Sequence, residues 1–410
     1  MGRYSQMALE AEPRPVLRAP EKRIAPRGIP ARPRFDSIDL LRGAVMVLMA
    51  LDHTRDLFGS SAMNPRDVSD PALFLTRWVT HFCAPIFIFL AGISAFLYGT
   101  RGRSKRELSR FLFTRGAWLV LIELTVVNFG WTFNLAFDFF VLQVIWAIGW
   151  SMMALACLIY LPRGAIAALA LVMIAGHNLL DGIEANRFQD FGWLWLLLHE
   201  PGLLDPVPGV KVLAVYPLVP WVGVMIAGYA FGPVMLYPAR QRRTWLFGSG
   251  LLLLGVFVGM RAVNGYGDPA PWQAQEGWVA TLLSFINCEK YPPSLLYLAM
   301  TLGPALIALG VFERARGKGS EWLITFGRVP FLFYVAHIYL LHLVAVAAAI
   351  VMGDDLRWLF EDLSAKPPGY GVSLTVVYPL WLGILLLLYP LCRWFAMVKQ
   401  RRKDWWLSYL

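Results

Sequence analysis

Long apolar runs separated by short polar segments dominate the chain. About 20 apolar residues suffice for a helix to cross a hydrocarbon layer. Ten stretches qualify, roughly 38–57, 73–99, 111–130, 135–161, 164–180, 211–236, 245–262, 291–313, 324–352 and 372–398. Two more apolar pieces, "FGWLWLLLHE" (191–200) and "WVATLLSFI" (278–286), are too short to cross and read as interfacial or re-entrant helices on the outer side. The pattern predicts an all-α polytopic membrane protein of about ten transmembrane helices, with one membrane domain over 36–400. Residues 1–35 are rich in Pro and Arg and have no periodicity. They read as a disordered basic cytoplasmic tail able to touch anionic lipid, and 401–410 as a cytoplasmic C-terminal tail.

Composition agrees with a membrane setting: 58% of residues are hydrophobic and 16% charged, where soluble domains carry about 25% charged residues. The net charge of +10 would suggest nucleic acid in a soluble protein. Here the basic residues sit in short loops, so topology accounts for them and no nucleic-acid partner is expected. The segments "RGRSKRELSR", "ARQRRT", "ERARGKGSE" and "KQRRKD" all fall on one side if ten spans are counted. The intervening segments are neutral or acidic; residues 181–205 hold five acids against one Arg. The positive-inside rule then places both termini in the cytoplasm. Four cysteines, Cys83, Cys157, Cys288 and Cys392, are scattered without metal-ligand spacing and read as packed thiols; no metal is expected.

The apolar runs are not uniformly apolar. "SIDLLRGAVMVLMALDHTRD" (37–56) carries Arg42 near its inner end and His53 near its outer end, with ten residues between. A rise of 1.5 Å per residue separates them by roughly 16 Å. His81, Glu123, Asn128, Asn134, Asp138, Gln143, His177, His337 and His342 are expected between the midplane and the outer face. Polar groups at that depth are costly and mark a cavity, a partner or a pathway. His53 between Asp52 and Asp56 suits a general base whose tautomer a carboxylate fixes. His337 and His342 point about 140° apart on a helix, so they do not share one metal. Tyr334 stands beside His337 on an i, i+3 stripe with Phe331. Glu123, mid-membrane, calls for an Arg or His partner. Lys290, in "EKYPPSLLY", could hold a substrate anion or anchor a helix end.

"DLLRGAVMVLMALDH" resembles the first-helix signature of the transmembrane acyltransferase superfamily. With "FCAPIFIFLAGISAFL", "YPPSLLYLAMTLGPAL" and "GRVPFLFYVAHIYLLH", in this order over residues 37 to 342, the chain is similar to the heparan-α-glucosaminide N-acetyltransferase catalytic-domain family, whose bacterial members are largely of unknown substrate. The resemblance implies a transmembrane acyltransferase-like bundle in a bacterial inner membrane. It would move an acyl group, acetyl above all, from cytoplasmic acetyl-CoA or another acyl-CoA to a hydroxyl or amine on the outer side. It carries over His53 as catalytic histidine and Arg42 as its motif partner, which the geometry of a helix places nearer the donor phosphates, with Arg328 assisting. The lysosomal member has an added luminal domain and uses a histidine in the loop after the first helix. Residues 57–72 here contain no histidine and that domain is missing, so an envelope glycan or lipid is expected as acceptor rather than heparan-type glucosamine.

The mechanism expected from these residues has Asp52 or Asp56 orient His53, and Asn128, Tyr334 or His337 donate to the developing oxyanion. His81 and Glu123 join Asn128 and Tyr334 as substrate-binding candidates, and Lys290 joins Arg42 and Arg328 as donor-binding candidates. An acyl-histidine route is an alternative. The expected partners are acyl-CoA, a glycan or lipid acceptor and membrane lipid, and a homodimer is compatible with the chain. The rival reading is a proton-coupled secondary transporter using buried Glu123, Asp138 and histidines, though paired interrupted helices in matching halves are not evident.

Overall fold

The computed structural model describes residues 35–361, 365–402 and 404–408. The expected N-terminal tail over 1–35 lies outside them apart from Phe35, and the expected C-terminal tail lies partly outside them. From Asp36 onward the chain forms one compact unit.

Among the described residues sixteen α-helices follow one another. Helix α1 (Asp36–Phe58) is succeeded by α2 (Pro71–Thr80) and α3 (Cys83–Gly99), then by α4 (Lys105–Ile122), a π-helical turn (Glu123–Val127) and α5 (Asn128–Thr132). Next come α6 (Val144–Leu158), α7 (Arg163–Gly176), α8 (Gly192–Leu198), α9 (Leu218–Phe231) and α10 (Ala239–Val263). The chain closes with α11 (Trp278–Ile286), α12 (Leu295–Phe312), α13 (Lys318–Arg328), α14 (Pro330–Met352), α15 (Arg357–Phe360) and α16 (Leu374–Arg401). Eight helical stretches among the described residues are long and apolar enough to cross a membrane. Helix α1 and the 15-residue α6 occupy the remaining two of the ten expected positions. The protein is a helical, multi-pass integral membrane protein.

The boundaries have local causes. Asp70 caps α2 through the Leu73 amide, and Ser104 with Glu107 forms a reciprocal capping box at the start of α4. Acidic Asp36 and Asp39 lie in the first turn of α1 and Arg55 in its last, each favoured by the helix dipole.

Two expected spans begin differently. The run 135–161 is helical only from Val144. Ahead of that, Phe133 and Phe137 take left-handed backbone angles and β1 (Phe139–Leu142) is extended. In the run 211–236, β3 (Val210–Ala214) precedes α9. With β2 (Gly202–Val207), these strands form a small sheet in the order β1-β3-β2, parallel between β1 and β3 and antiparallel between β2 and β3. Asn134 and Asp138 therefore lie in a loop, hydrogen-bonded to each other at 2.7 Å, rather than within a crossing helix. The run 324–352 is also divided, at Val329–Pro330, because proline cannot supply the amide that would continue α13.

Helix α1 is central, packed against α2, α3, α12, α13, α14 and α16. It meets α13 backbone to backbone. A Cβ on Gly43 would come 1.9 Å from the Leu323 carbonyl oxygen, and one on Gly327 would come 1.8 Å from that of Asp39. Small residues permit such close approach where lipid supplies no hydrophobic drive between helices. Trp381 of α16 donates to the Val47 carbonyl at 2.9 Å. Large apolar side chains exposed on α7, α10 and α16 form the outer surface, as lipid contact requires.

Candidate active site

The C-terminal end of α1 carries the centre of the site. Nδ1 of His53 lies 2.7 Å from Nε2 of His337 on α14, with the two rings stacked at 4.9 Å. Nδ1 of His337 lies 3.0 Å from the Phe333 carbonyl oxygen, which can only accept. That nitrogen therefore carries the proton. A neutral His337 then presents a bare Nε2, and Nδ1–H of His53 donates to it. Nε2 of His53 is left with its lone pair. His337 is fully buried, whereas His53 is only half-buried. The arrangement is an imidazole whose tautomer is set by a second histidine, itself anchored to a backbone carbonyl one helical turn away.

The orienting bond expected from Asp52 or Asp56 to His53 is thus made by His337. Adjacent residues on a helix point about 100° apart, and Asp52 faces another way. Its Oδ1 accepts from Arg55 at 2.6 Å and from Thr80 of α2 at 2.8 Å, and its Oδ2 lies 4.0 Å from Nζ of Lys290. Asp56 is half-exposed and accepts from the same Arg55 at 2.7 Å. Lys290 belongs to the 289–294 turn, which Asp268 fixes by accepting from the Glu289 amide at 2.9 Å and from Ser294 Oγ at 2.6 Å. Burial pushes the Asp268 carboxyl above its ordinary range. Lys290 is therefore at the His53 end of α1, away from Arg42 and Arg328, with which it was grouped as donor-binding.

Aromatic groups complete the wall around His53. Trp131 meets it edge-on at 4.8 Å and Tyr334 at 6.4 Å. Trp131 Nε1 and Tyr334 Oη are buried, and neither makes a well-formed hydrogen bond. His342, on the opposite face of α14 from His337, packs against Phe133 at 4.1 Å. His81 is buried between α2 and α3 with both ring nitrogens unpartnered, its ring edge-on to Tyr297.

Two expectations change. The arginine or histidine expected beside Glu123 is replaced by backbone, because Glu123 Oε1 accepts the Gln143 amide at 3.0 Å, at the start of α6. A helix N-terminus offers unpaired amides and a positive dipole end, so no cation is needed. Asn128 is committed to β1, donating to the Phe139 carbonyl at 3.0 Å and accepting from the Val141 amide at 3.3 Å. One of its two amide hydrogens is thereby tied to the strand rather than offered to an oxyanion. Asp138 is exposed, so it is not the buried carboxylate on which the transporter reading drew.

The other end of α1 is a second cationic site. Arg42 Nη1 donates to Asp39 and to the Gly327 carbonyl, both at 3.2 Å, and Nη2 donates to Ser94 Oγ at 3.3 Å. Arg328, at the C-terminus of α13, lies 3.6 Å from Asp36, and its Nε is buried without a partner. The α1–α13 contact thus brings Arg42 and Arg328 together. Among the described residues, no group of three or more His, Cys, Asp or Glu is placed to hold a metal ion.

Sequence reasoning did not single out Thr80, Trp131 or Arg55 for the site. Only Arg55 had a readable signal, its i, i+3 spacing from Asp52. The family model for heparan-alpha-glucosaminide N-acetyltransferase, catalytic, matches residues 34–266, more than half of the chain. No curated relative matches it. The matched region holds Arg42, His53, Arg55, His81, Glu123 and Trp131, while Lys290, Arg328, Tyr334 and His337 come from beyond it.

Proposed function

The chain belongs to the heparan-alpha-glucosaminide N-acetyltransferase catalytic family, and on that premise we propose that it acetylates an outer-side acceptor from cytoplasmic acetyl-CoA, with His53 as the general base. A membrane acetyltransferase is what the family implies. The observation that carries the finer reading is the hydrogen-bonded row from His53 through His337 to the Phe333 carbonyl, which leaves Nε2 of His53 with its lone pair.

In this reading the acceptor hydroxyl or amine gives its proton to Nε2 of His53. Its oxygen or nitrogen attacks the thioester carbon. The carbon–sulfur bond breaks, and the proton on His53 passes to the departing sulfur, giving acetylated acceptor and free CoA. Positive charge arising on His53 is shared along the Nδ1–H bond to His337. Tyr334 Oη and Trp131 Nε1, both lacking a well-formed bond, are the donors available to the thioester oxygen as it gains charge. Arg42 and Arg328 supply cationic groups for the donor's phosphates at the opposite end of α1. The acceptor is a glycan or lipid of a bacterial envelope, and the orientation rests on the distribution of basic loops.

The test is acetyl-CoA binding and slow hydrolysis by the purified protein. His53→Ala is expected to bind acetyl-CoA but lose turnover by about 10²–10⁴-fold. Arg42→Ala is expected to weaken binding by about tenfold or more. A folded wild-type protein that does not bind acetyl-CoA sinks the proposal.

A further inference from the structure

We propose that the acceptor carries a phosphate group, seated beside His53 in a cradle formed by Arg55, Arg77, His81 and Lys290 around Asp52; this deepens the acetyltransferase reading and rests on it. The four side chains come from three segments. Arg55 lies in the last turn of α1, Arg77 is on α2 and His81 is the residue that caps its C-terminus, and Lys290 comes from the 289–294 turn. Thr80, on the same face of α2 as Arg77, donates to Asp52, so α2 turns that face toward the carboxylate. Arg77 lies within electrostatic reach of Asp52, Arg55, Arg66 and Glu289, and His81 within reach of Arg77, Lys290, Asp52 and Arg55.

Donor capacity here exceeds what the protein uses. Arg55 is more than nine-tenths buried, yet its Nη1 has no partner. His81 is more deeply buried still, and both its ring nitrogens are unpartnered. The Arg77 guanidinium makes no hydrogen bond or salt bridge among the described residues. Lys290 approaches Asp52 only at 4.0 Å, beyond hydrogen-bond length. The carboxylates nearby are already engaged: Asp52 by Arg55 and Thr80, Asp56 by Arg55, and Glu289 by a two-pronged contact from Arg66. Leaving buried donors unmet is costly, so they imply a ligand that meets them.

The chemistry of that ligand follows from its donors. A planar carboxylate presents its two oxygens along one edge, which a single arginine fork matches. Donors converging from three segments suit an anion with three acceptor oxygens. These cations are also not topogenic, because the positive-inside rule concentrates such residues at the other ends of the spans.

The experiment uses the full chain in phosphatidylcholine nanodiscs, titrated calorimetrically with inorganic phosphate and, separately, with acetyl-CoA. Phosphate is expected to bind wild type. Arg77→Gln and Lys290→Met should weaken it about tenfold each, the charge-keeping Arg77→Lys and Lys290→Arg should recover most of the loss, and Arg42→Ala should change it less than about twofold. Displacement of phosphate by soluble glycerol 3-phosphate assigns the group to a soluble acceptor, and displacement by phosphatidic acid in the disc assigns it to a lipid headgroup. The proposal is overturned if phosphate does not bind, if neither competitor displaces it, or if Arg77→Gln and Lys290→Met weaken acetyl-CoA rather than phosphate. Phosphate binding without acetyl-CoA binding would instead remove the acetyl-transfer reading and leave the anion cradle standing.

Discussion

His53 Nδ1 and His337 Nε2 face each other at 2.7 Å across the α1–α14 contact, and the Phe333 carbonyl at 3.0 Å on the far side of His337 fixes which nitrogen of each ring bears hydrogen. Three groups in a row thereby determine one lone pair. In many hydrolases a carboxylate holds the base. Here a neutral imidazole does so, and the nearby carboxylates serve arginine and lysine instead.

Replacing His337 should accordingly damage catalysis more than folding. His337→Phe removes the acceptor for His53 Nδ1–H, frees the wrong tautomer and should lower kcat by about 10²-fold or more. His337→Gln can present an amide oxygen to the same hydrogen and should recover part of that loss. Turnover of His337→Phe and His337→Gln at matched protein stability checks this. Equal activity in wild type and His337→Phe would remove the orienting role.

The pH profile should have one sloping side. His53 must be neutral to take a proton, so the rate rises with pH as a histidine deprotonates. Burial works against the Lys290 ammonium, but its neighbours Tyr291 and Asp52 outweigh burial and hold the group above the ordinary lysine value of 10.5. A base with a raised pKa stays charged at every pH below its ordinary value. Lys290 therefore adds no falling limb below about pH 10, and Lys290→Arg should trace the same profile as wild type. A descending limb between pH 8 and 9 that this substitution moves would contradict the assignment.

The helical plan was legible because each long apolar run needs a membrane, and the central helix was legible because Arg42 and His53 interrupt one such run. Pairing within the site was harder to read. Asp52 and His53 are neighbours in sequence but diverge in direction on a helix, so adjacency suggested a contact that α1 does not allow. The i, i+3 spacing from Asp52 to Arg55 was the better guide. The contacts of Asn128 were hidden for another reason. The run 135–161 holds no Gly or Pro before Gly149, so nothing local announced the turn at Phe133 or the strand Phe139–Leu142 that absorbs the Asn128 amide. Trp131 reaches His53 only through the packing of α5 against α14, which no local pattern encodes.

Glu123 separates the acetyltransferase reading from proton-coupled transport. Its Oε1 accepts the Gln143 amide at the start of α6. Glu123→Gln keeps an acceptor oxygen there and should preserve both fold and turnover. Glu123→Ala leaves the amide buried without a partner and should cost about 1–3 kcal/mol of stability, read as a lower Tm in detergent. If Glu123→Gln abolishes activity while remaining folded, the carboxylate takes part in proton movement and the structural assignment fails.

The α1–α13 contact ties Arg42, the arginine proposed to meet the donor, to backbone packing, which makes Gly43 an informative position. Its missing side chain allows the Leu323 carbonyl to approach, and the neighbouring Arg42 donates to the Gly327 carbonyl on the same stretch of α13. Gly43→Ala must push the two helices apart, since backbone cannot rotate away as a side chain can. Overpacking of this kind costs about 1–3 kcal/mol. The shift should also draw Arg42 off Gly327 and weaken acetyl-CoA binding, although Gly43 itself contacts no ligand. Gly228→Ala is the control. There a Cβ would come 2.1 Å from the Phe89 carbonyl, at the contact of α3 with α9, so a similar loss of Tm is expected with acetyl-CoA affinity retained. Both are measured below the lower Tm, with wild type alongside. If Gly43→Ala binds acetyl-CoA as well as Gly228→Ala does, the junction of Arg42 with α13 is a helix-packing device and the donor's phosphates lie elsewhere.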